Sequence, residues 1–292
     1  MTTEDVSAAV KQARTVMRRV QEHLRGIHLT LGAKDESAGF ADVIYHESSP
    51  LPALNYVIPR RNTAHVPGSH IEDGLKLLRQ RGRVGRVYFA EGLYPPLFIG
   101  SLRELGLVVE TETPMMVYRP QQGVLSLPVL PPEITINRVE GQQSMGIWWY
   151  VWRNAFYDVV TSTVDPIILG QDLRSTAQGN QIDLILYRYA FAVGVVRMTV
   201  HDKSACIAAR ALMKDYYTPE LMRLLQGAAV RMALDAGCDL VFMPGETDAE
   251  RQLCRDSGFI DAGSMVCYVE SSAIAVPAAE NQPAEVQPVL IL

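Results

Sequence analysis

The chain has 292 residues, 48% of them hydrophobic and 20% charged, with a formal net charge of -5. That length suits two domains with sizeable cores, and the mild acidity excludes the basic field expected of a nucleic-acid or acidic-membrane binder. No apolar run approaches the ~20 residues that span a bilayer, and the start MTTEDVSAAV lacks a signal-peptide pattern, so a cytoplasmic protein is expected.

The four cysteines, Cys206, Cys238, Cys254 and Cys267, fall in the last third without zinc-site spacing. They read as reduced, mostly buried thiols. His65 and His70 share a Pro/Gly loop with no third ligand nearby, so no metal is expected.

Residues 4–25 form the clearest helical pattern, with Val6, Ala9, Val10, Ala13, Val16, Met17, Val20 and Leu24 on one face. Gly26 is the expected end. The opposite face carries Lys11, Arg14, Arg18 and Arg19 and reads as solvated. Short strands follow at Ala41–Tyr45 and Leu54–Ile58, then a helix from Ile71 to about Arg81, a strand at Arg86–Ala90 and a helix at about Pro95–Leu105. Leu107–Tyr118 reads as a pair of strands. The cluster Arg79, Arg81, Arg83 and Arg86 is either a solvated helix end or an anion contact.

Four prolines lie within residues 119–133, which marks a linker. Domains are therefore expected at 1–119 and 134–270, with a linker at 120–133 and an Ala/Pro-rich tail at 271–292. The tail ends Val289-Leu290-Ile291-Leu292, which offers a surface for a second copy, so a homodimer is one expectation. In the rear half, Ile134–Val139 alternates like a strand and Ser144–Val160 is an aromatic helix. Trp148, Trp152 and Phe156 share one face at four-residue steps, and two readings stand: core packing, or the wall of an apolar acceptor pocket. Residues 161–180 read as a loop or a single helical turn. Strands at Ile182–Tyr187, Ala190–Val200 and Ala205–Met213 follow, separated by turns near Arg188 and at His201–Ser204.

The halves end alike. After Gly106 the chain reads LVVETETPMMVYRP and after Gly258 it reads FIDAGSMVCYVE, each following a strand, a helix and a helix-ending glycine. A duplicated α/β unit with a mixed sheet, abbreviated in front and fuller behind, is the expected architecture.

The fuller copy centres on Ala205–Gly258. Thr218-Pro219-Glu220 combines a capping hydroxyl, a proline at the first helical position and an acid near the positive helix end. Leu221, Leu225, Ala228 and Met232 make the buried face, and Gly237 ends the helix. Leu240–Met243 is the next strand, and Thr247 and Glu250 stand at capping-box spacing for a helix at 248–257.

From Ile134 to Glu270, with CDLVFM followed by RQLCRDSGF, this order of elements resembles the GNAT superfamily of acyl-CoA-dependent N-acetyltransferases. The front half resembles a second, truncated GNAT-like unit. The resemblance implies acetyl-CoA or another acyl-CoA as cofactor and a small-molecule amine as acceptor. It implies that Leu212, Met213, Tyr217, Thr218, Leu221 and Met222 form the cofactor site. It also places Cys254 where many members carry the tyrosine acid, and Cys206 near the position of the glutamate base.

The loop departs from the family pattern Arg/Gln-x-x-Gly-x-Gly/Ala, aligning as Tyr217-Thr218-Pro219-Glu220-Leu221-Met222. Glu220 and Met222 replace the small residues that let phosphate approach, and Pro219 removes a donor. A carboxylate ~5 Å from a phosphate charge would repel it by roughly 3 kcal/mol at an effective dielectric near 20. Two functions therefore stand side by side: an N-acetyltransferase with a degenerate pyrophosphate loop, or a catalytically inactive GNAT-like fold acting as a binding or interaction module. A small ligand in the cleft between the halves is a third reading.

Overall fold

A computed structural model describes residues 3–60, 63, 65–121, 125, 129–157 and 163–274. In chain order the elements are α1 (Thr3–Thr30), β1 (Lys34–Ala38), β2 (Ala41–Tyr45), β3 (Tyr56–Pro59), α2 (Gly68–Gln80), β4 (Arg86–Ala90), α3 (Pro96–Glu104) and β5 (Leu107–Tyr118). There follow β6 (Ile134–Arg138), α4 (Gln142–Tyr157), α5 (Pro166–Ala177), β7 (Gln181–Arg188), β8 (Phe191–His201) and β9 (Ser204–Leu212). The last are α6 (Pro219–Asp235), β10 (Leu240–Pro244), α7 (Asp248–Asp256), β11 (Ile260–Glu270) and the short α8 (Ser271–Ile274), which begins the expected tail. They form two compact units, one running to Met115 and resuming at Ala262, the other spanning Met116–Asp261. The tail from 275, residues 122–124 and 126–128 of the expected linker, and the expected helix end at 158–160 lie outside the described residues. Among the described residues no helix is long and apolar enough to cross a membrane.

In the first unit the strand order is β1-β2-β3-β4-β11-β5, with α2 as the crossover between the parallel strands β3 and β4. Ile71, Leu75 and Leu78 project from one face of α2 onto Val43, Val57 and Val87 of the sheet. Gly74 permits that approach: a Cβ there would sit 2.9 Å from both Val57 methyls. Phe89 packs its ring against Phe98 of α3 and Tyr268 of β11.

Three expectations change here. Helix α1 does not stop at Gly26 but runs on to Thr30, because Ile27 and His28 continue its buried stripe, and Gly32 takes the left-handed backbone beyond it. The polar β1, unread in the sequence, is a strand paired with β2 through a turn at Gly39. Leu107–Tyr118 is one continuous twelve-residue strand rather than a pair.

The domain boundary also falls differently at the C-terminal end. Ala262–Glu270 lies in the first unit, not with 134–261, because β11 pairs antiparallel with β4 from Met265↔Ala90 to Val269↔Arg86. Val266 and Tyr268 complete that unit's core. Met116 and Tyr118, at the end of β5, pack in the core of the second unit.

In the second unit the strands run β10-β9-β8-β7-β6, antiparallel except for β9 and β10, which α6 connects in parallel. Two-residue turns at Tyr189-Ala190 and Asp202-Lys203 join β7 to β8 and β8 to β9, with positive φ at Tyr189 and Asp202. Side chains alternate between two cores. Leu184, Leu186, Met198 and Ile207 meet Leu225, Ala229, Val230 and Ala233 of α6. Ile185, Val195, Ala209 and Ala211 meet Met145, Trp148 and Trp152 of α4.

Residues 166–177, expected as loop or a single turn, form the helix α5. Asp165 caps it, accepting from the Ile167 N–H at 2.7 Å, and Pro166 opens it. Its apolar stripe is thin, only half-buried Leu169 and Leu173 packing on the α4 core, while its most buried position is the charged Asp172. Hydrophobic periodicity therefore carried little signal.

Candidate functional site

Strands β9 and β10 pair only through Leu240↔Ser204, Val241↔Ala205 and Phe242↔Cys206. Beyond Cys206 they part, and β9 continues to Leu212 paired with β8 only. A cavity of about 510 Å³ opens at that end. Phe156 of α4, Leu212 of β9, Met222 of α6 and Leu253 of α7 form its apolar wall, while Arg210, Lys214 and Glu250 bring charge to it.

Arg210 reaches the cavity because of a β-bulge. Opposite β8 the register runs Met198↔Ile207 and then Arg197↔Ala209, so Ala208 is the extra residue and the alternation of β9 shifts by one. Before the bulge Ala205 and Ile207 face α6; after it Ala209 and Ala211 face α4, which leaves Arg210 on the α6 side. There its Nη1 donates to Oε1 of Gln226, a fully buried residue of α6. Its Nη2 lies 3.6 Å from Glu250 Oε1, too far for a hydrogen bond, and its side chain is only 9% exposed. The Gln226 Nε2 is buried, and the Gln226 side chain also faces the Cys254 thiol.

Glu250 is held elsewhere. Its Oε2 accepts from the Thr247 N–H at 3.2 Å while the Thr247 hydroxyl accepts from the Glu250 N–H at 3.2 Å, the capping box read in the sequence. Thr247→Ala is expected to cost about 1 kcal/mol, visible as a lowered thermal midpoint.

The start of α6 offers a phosphate fewer donors than an open helix end. Pro219 has no N–H, the Leu221 N–H bonds the Thr218 hydroxyl at 3.1 Å, and the Met222 N–H bonds the Thr218 carbonyl at 3.0 Å. A pyrophosphate needs these donors unpaired and small residues beside them. The residues here do not fit that group. Glu220 is exposed, so water screens its repulsion, and the spent donors are the stronger objection.

Among the residues singled out for the cofactor, Leu212, Tyr217 and Met222 line the cavity. Thr218 is occupied as a cap, Leu221 packs against the α6-side core, and Met213 packs beside the α4 core. Within the aromatic stripe, Trp148 and Trp152 stack in the core, and the Trp148 Nε1 donates to the Val196 carbonyl. Phe156 alone of the three reaches the cavity.

Neither thiol suits proton transfer. Cys254 is wholly buried with its sulfur 3.5 Å from that of Met243, and burial pushes its thiol pKa up despite the nearby Arg210. Burial pushes Cys206 up as well. Both stay protonated at neutral pH.

Sequence reasoning missed Arg210, Lys214, Gln226 and the cavity role of Glu250. One signal was there: Arg210 is the single charge in the apolar run Ala205–Met213.

No protein-family model matches the sequence, and no curated protein matches it. Solved structures do. A GCN5-related N-acetyltransferase from Kribbella flavida superposes with a TM-score of 0.67 at 15% identity, over 88% of this chain and 96% of that one. A tandem GNAT protein from the clavulanic acid biosynthesis pathway gives 0.56 at 12%, over 78% and 77%. A GCN5-related N-acetyltransferase from Sphaerobacter thermophilus gives 0.55 at 11%, over 78% and 79%. Identities this low speak for fold alone. On the splayed strands β9 and β10, the crossover helix α6 and these superpositions, the chain has the fold of the GNAT N-acetyltransferases, built as two α/β units.

Proposed function

We propose that the second unit is a ligand-binding module on a GNAT fold, and that its wedge no longer holds acyl-CoA in the usual pose. One observation carries this reading: in the first turn of α6 Pro219 has no N–H to offer and the Thr218 hydroxyl takes that of Leu221, while the cavity beside it persists. The buried thiols Cys254 and Cys206 agree with it, since neither supplies a titrating acid or base near neutral pH.

Isothermal titration of the full chain with acetyl-CoA tests it. No heat and no thermal shift are expected at millimolar ligand. Saturable binding, or release of free CoA with any amine in a broad acceptor screen, would refute the module.

The parted strands favour a second reading. Beyond Cys206 the β9 backbone is not paired to β10, and strand amides in that position can polarise a thioester carbonyl for attack by a small-molecule amine. On that reading the chain is an N-acetyltransferase whose cofactor phosphates lie away from α6. The variant Glu220→Gly/Met222→Gly tests what excludes the cofactor from the usual pose. Removing both side chains should leave acetyl-CoA binding undetectable if the donor missing at Pro219 and the one tied up by Thr218 are the obstacle. A gain in binding would show instead that bulk alone displaces the cofactor.

A further inference from the structure

Resting on the binding reading above, we propose that the cavity of the second unit is a receptor for a small apolar carboxylate, with Arg210 taking the carboxyl group. The guanidinium has five donors in a planar fork, and in the cavity wall one of them is spent on Gln226. A cation so far removed from water is costly until acceptors surround it. Glu250 is in ion-pair range of it at 3.6 Å but makes no hydrogen bond to it, and its other oxygen is tied to the Thr247 N–H. A carboxylate entering the cavity can form the paired, charge-assisted bonds that the fork still offers.

Gln226 acts as a positioning residue. Its Oε1 fixes the rotation of the guanidinium from inside the core. Phe156, Leu212, Met222 and Leu253 offer an apolar wall for the rest of the molecule, and about 510 Å³ leaves room for a body of phenyl or medium alkyl size. A doubly charged phosphate ester fits less well, since Glu250 repels its second charge and Pro219 and Thr218 leave the α6 start few donors.

Phenylacetate and phenylacetamide share a shape and differ in charge, so they make the test. Trp152 lies 4.5 Å, ring centroid to centroid, from the cavity-lining Phe156, and its fluorescence offers a readout beside calorimetry. Wild-type protein is expected to bind the acid about ten- to a hundredfold more tightly than the amide. Arg210→Met should bring the acid down to the level of the amide and leave the amide unchanged, with Arg210→Lys falling between. Equal affinity for acid and amide in the wild type overturns the assignment and needs no variant to fold. So does binding of neither compound. Acetyl-CoA turnover, measured separately, bears on the binding reading itself, and the two failures are therefore distinct.

Discussion

Replacing Arg197 with methionine is expected to destabilise the second unit by roughly 3–5 kcal/mol, the usual effect of removing one partner from a buried ionic cluster. Arg197 of β8 is 5% exposed and sits between two carboxylates. It grips Asp172 of α5 with two bonds, of 3.1 and 2.8 Å, and Asp183 of β7 through Nε at 2.8 Å. Gln181 donates to Asp183 at 2.6 Å and the Trp149 indole to Asp172 at 2.7 Å, while the guanidinium lies 4.2 Å from the Trp148 ring centre. Burial works against the Arg197 charge, and the two carboxylates outweigh it, so the cation persists. With two acids for one base, burial pushes Asp183 up, and Asp172 adds to that push against the pull of Arg197.

Methionine would leave both carboxylates in the core unpaired. The chain's three tryptophans, Trp148, Trp149 and Trp152, all lie on α4, so their fluorescence reports this unit alone. A fall in midpoint on the order of 10 °C is expected. The triple variant Arg197→Met/Asp172→Asn/Asp183→Asn should recover most of it, since it removes the charges together. If the single variant melts like wild type, the cluster is not the lock that seats α4 and α5 on the sheet.

Acid is expected to weaken the first unit through His28. This histidine of α1 is 2% exposed, its Nδ1 is 2.8 Å from the Tyr56 hydroxyl, and burial lowers its pKa from 6.5 to about 4. The folded unit thus keeps His28 neutral where the unfolded chain binds a proton. The stabilisation is complete above pH 6.5 and drains away as pH falls towards 4. The shift corresponds to a loss of roughly 3 kcal/mol across that window. Urea unfolding of wild type and His28→Gln, followed by far-ultraviolet circular dichroism at pH 7 and near pH 4.5, isolates the effect. The wild type should lose more stability than the variant over that range. Parallel losses would mean that His28 does not titrate in this way.

Much of the fold is written locally. The face of α2 follows from the spacing of Ile71, Leu75 and Leu78, and the starts of α6 and α7 follow from Thr218-Pro219 and from Thr247 with Glu250. Each involves residues within two turns of one another, so the chain chemistry sufficed. The shortage of donors at the α6 start was legible for the same reason: a proline lacks one and a capping threonine takes another wherever the helix is placed.

The cavity's chemistry was not legible, because it depends on partners distant in sequence. Read by strict alternation, Arg210 falls on the side of Cys206; the bulge at Ala208, set by pairing with β8, carries it to Gln226 and Glu250 instead. Likewise α5 owes its place to Arg197, which reaches Asp172 from β8, and β11 joins β4 through a strand edge offered about 180 residues earlier. The sequence by itself determined α2, the caps that start α6 and α7 and the shortage of donors at the α6 start, since those are matters of neighbouring residues. Only the tertiary structure decided which charge lines the cavity, because a register shift of one residue changes the face on which a side chain lies.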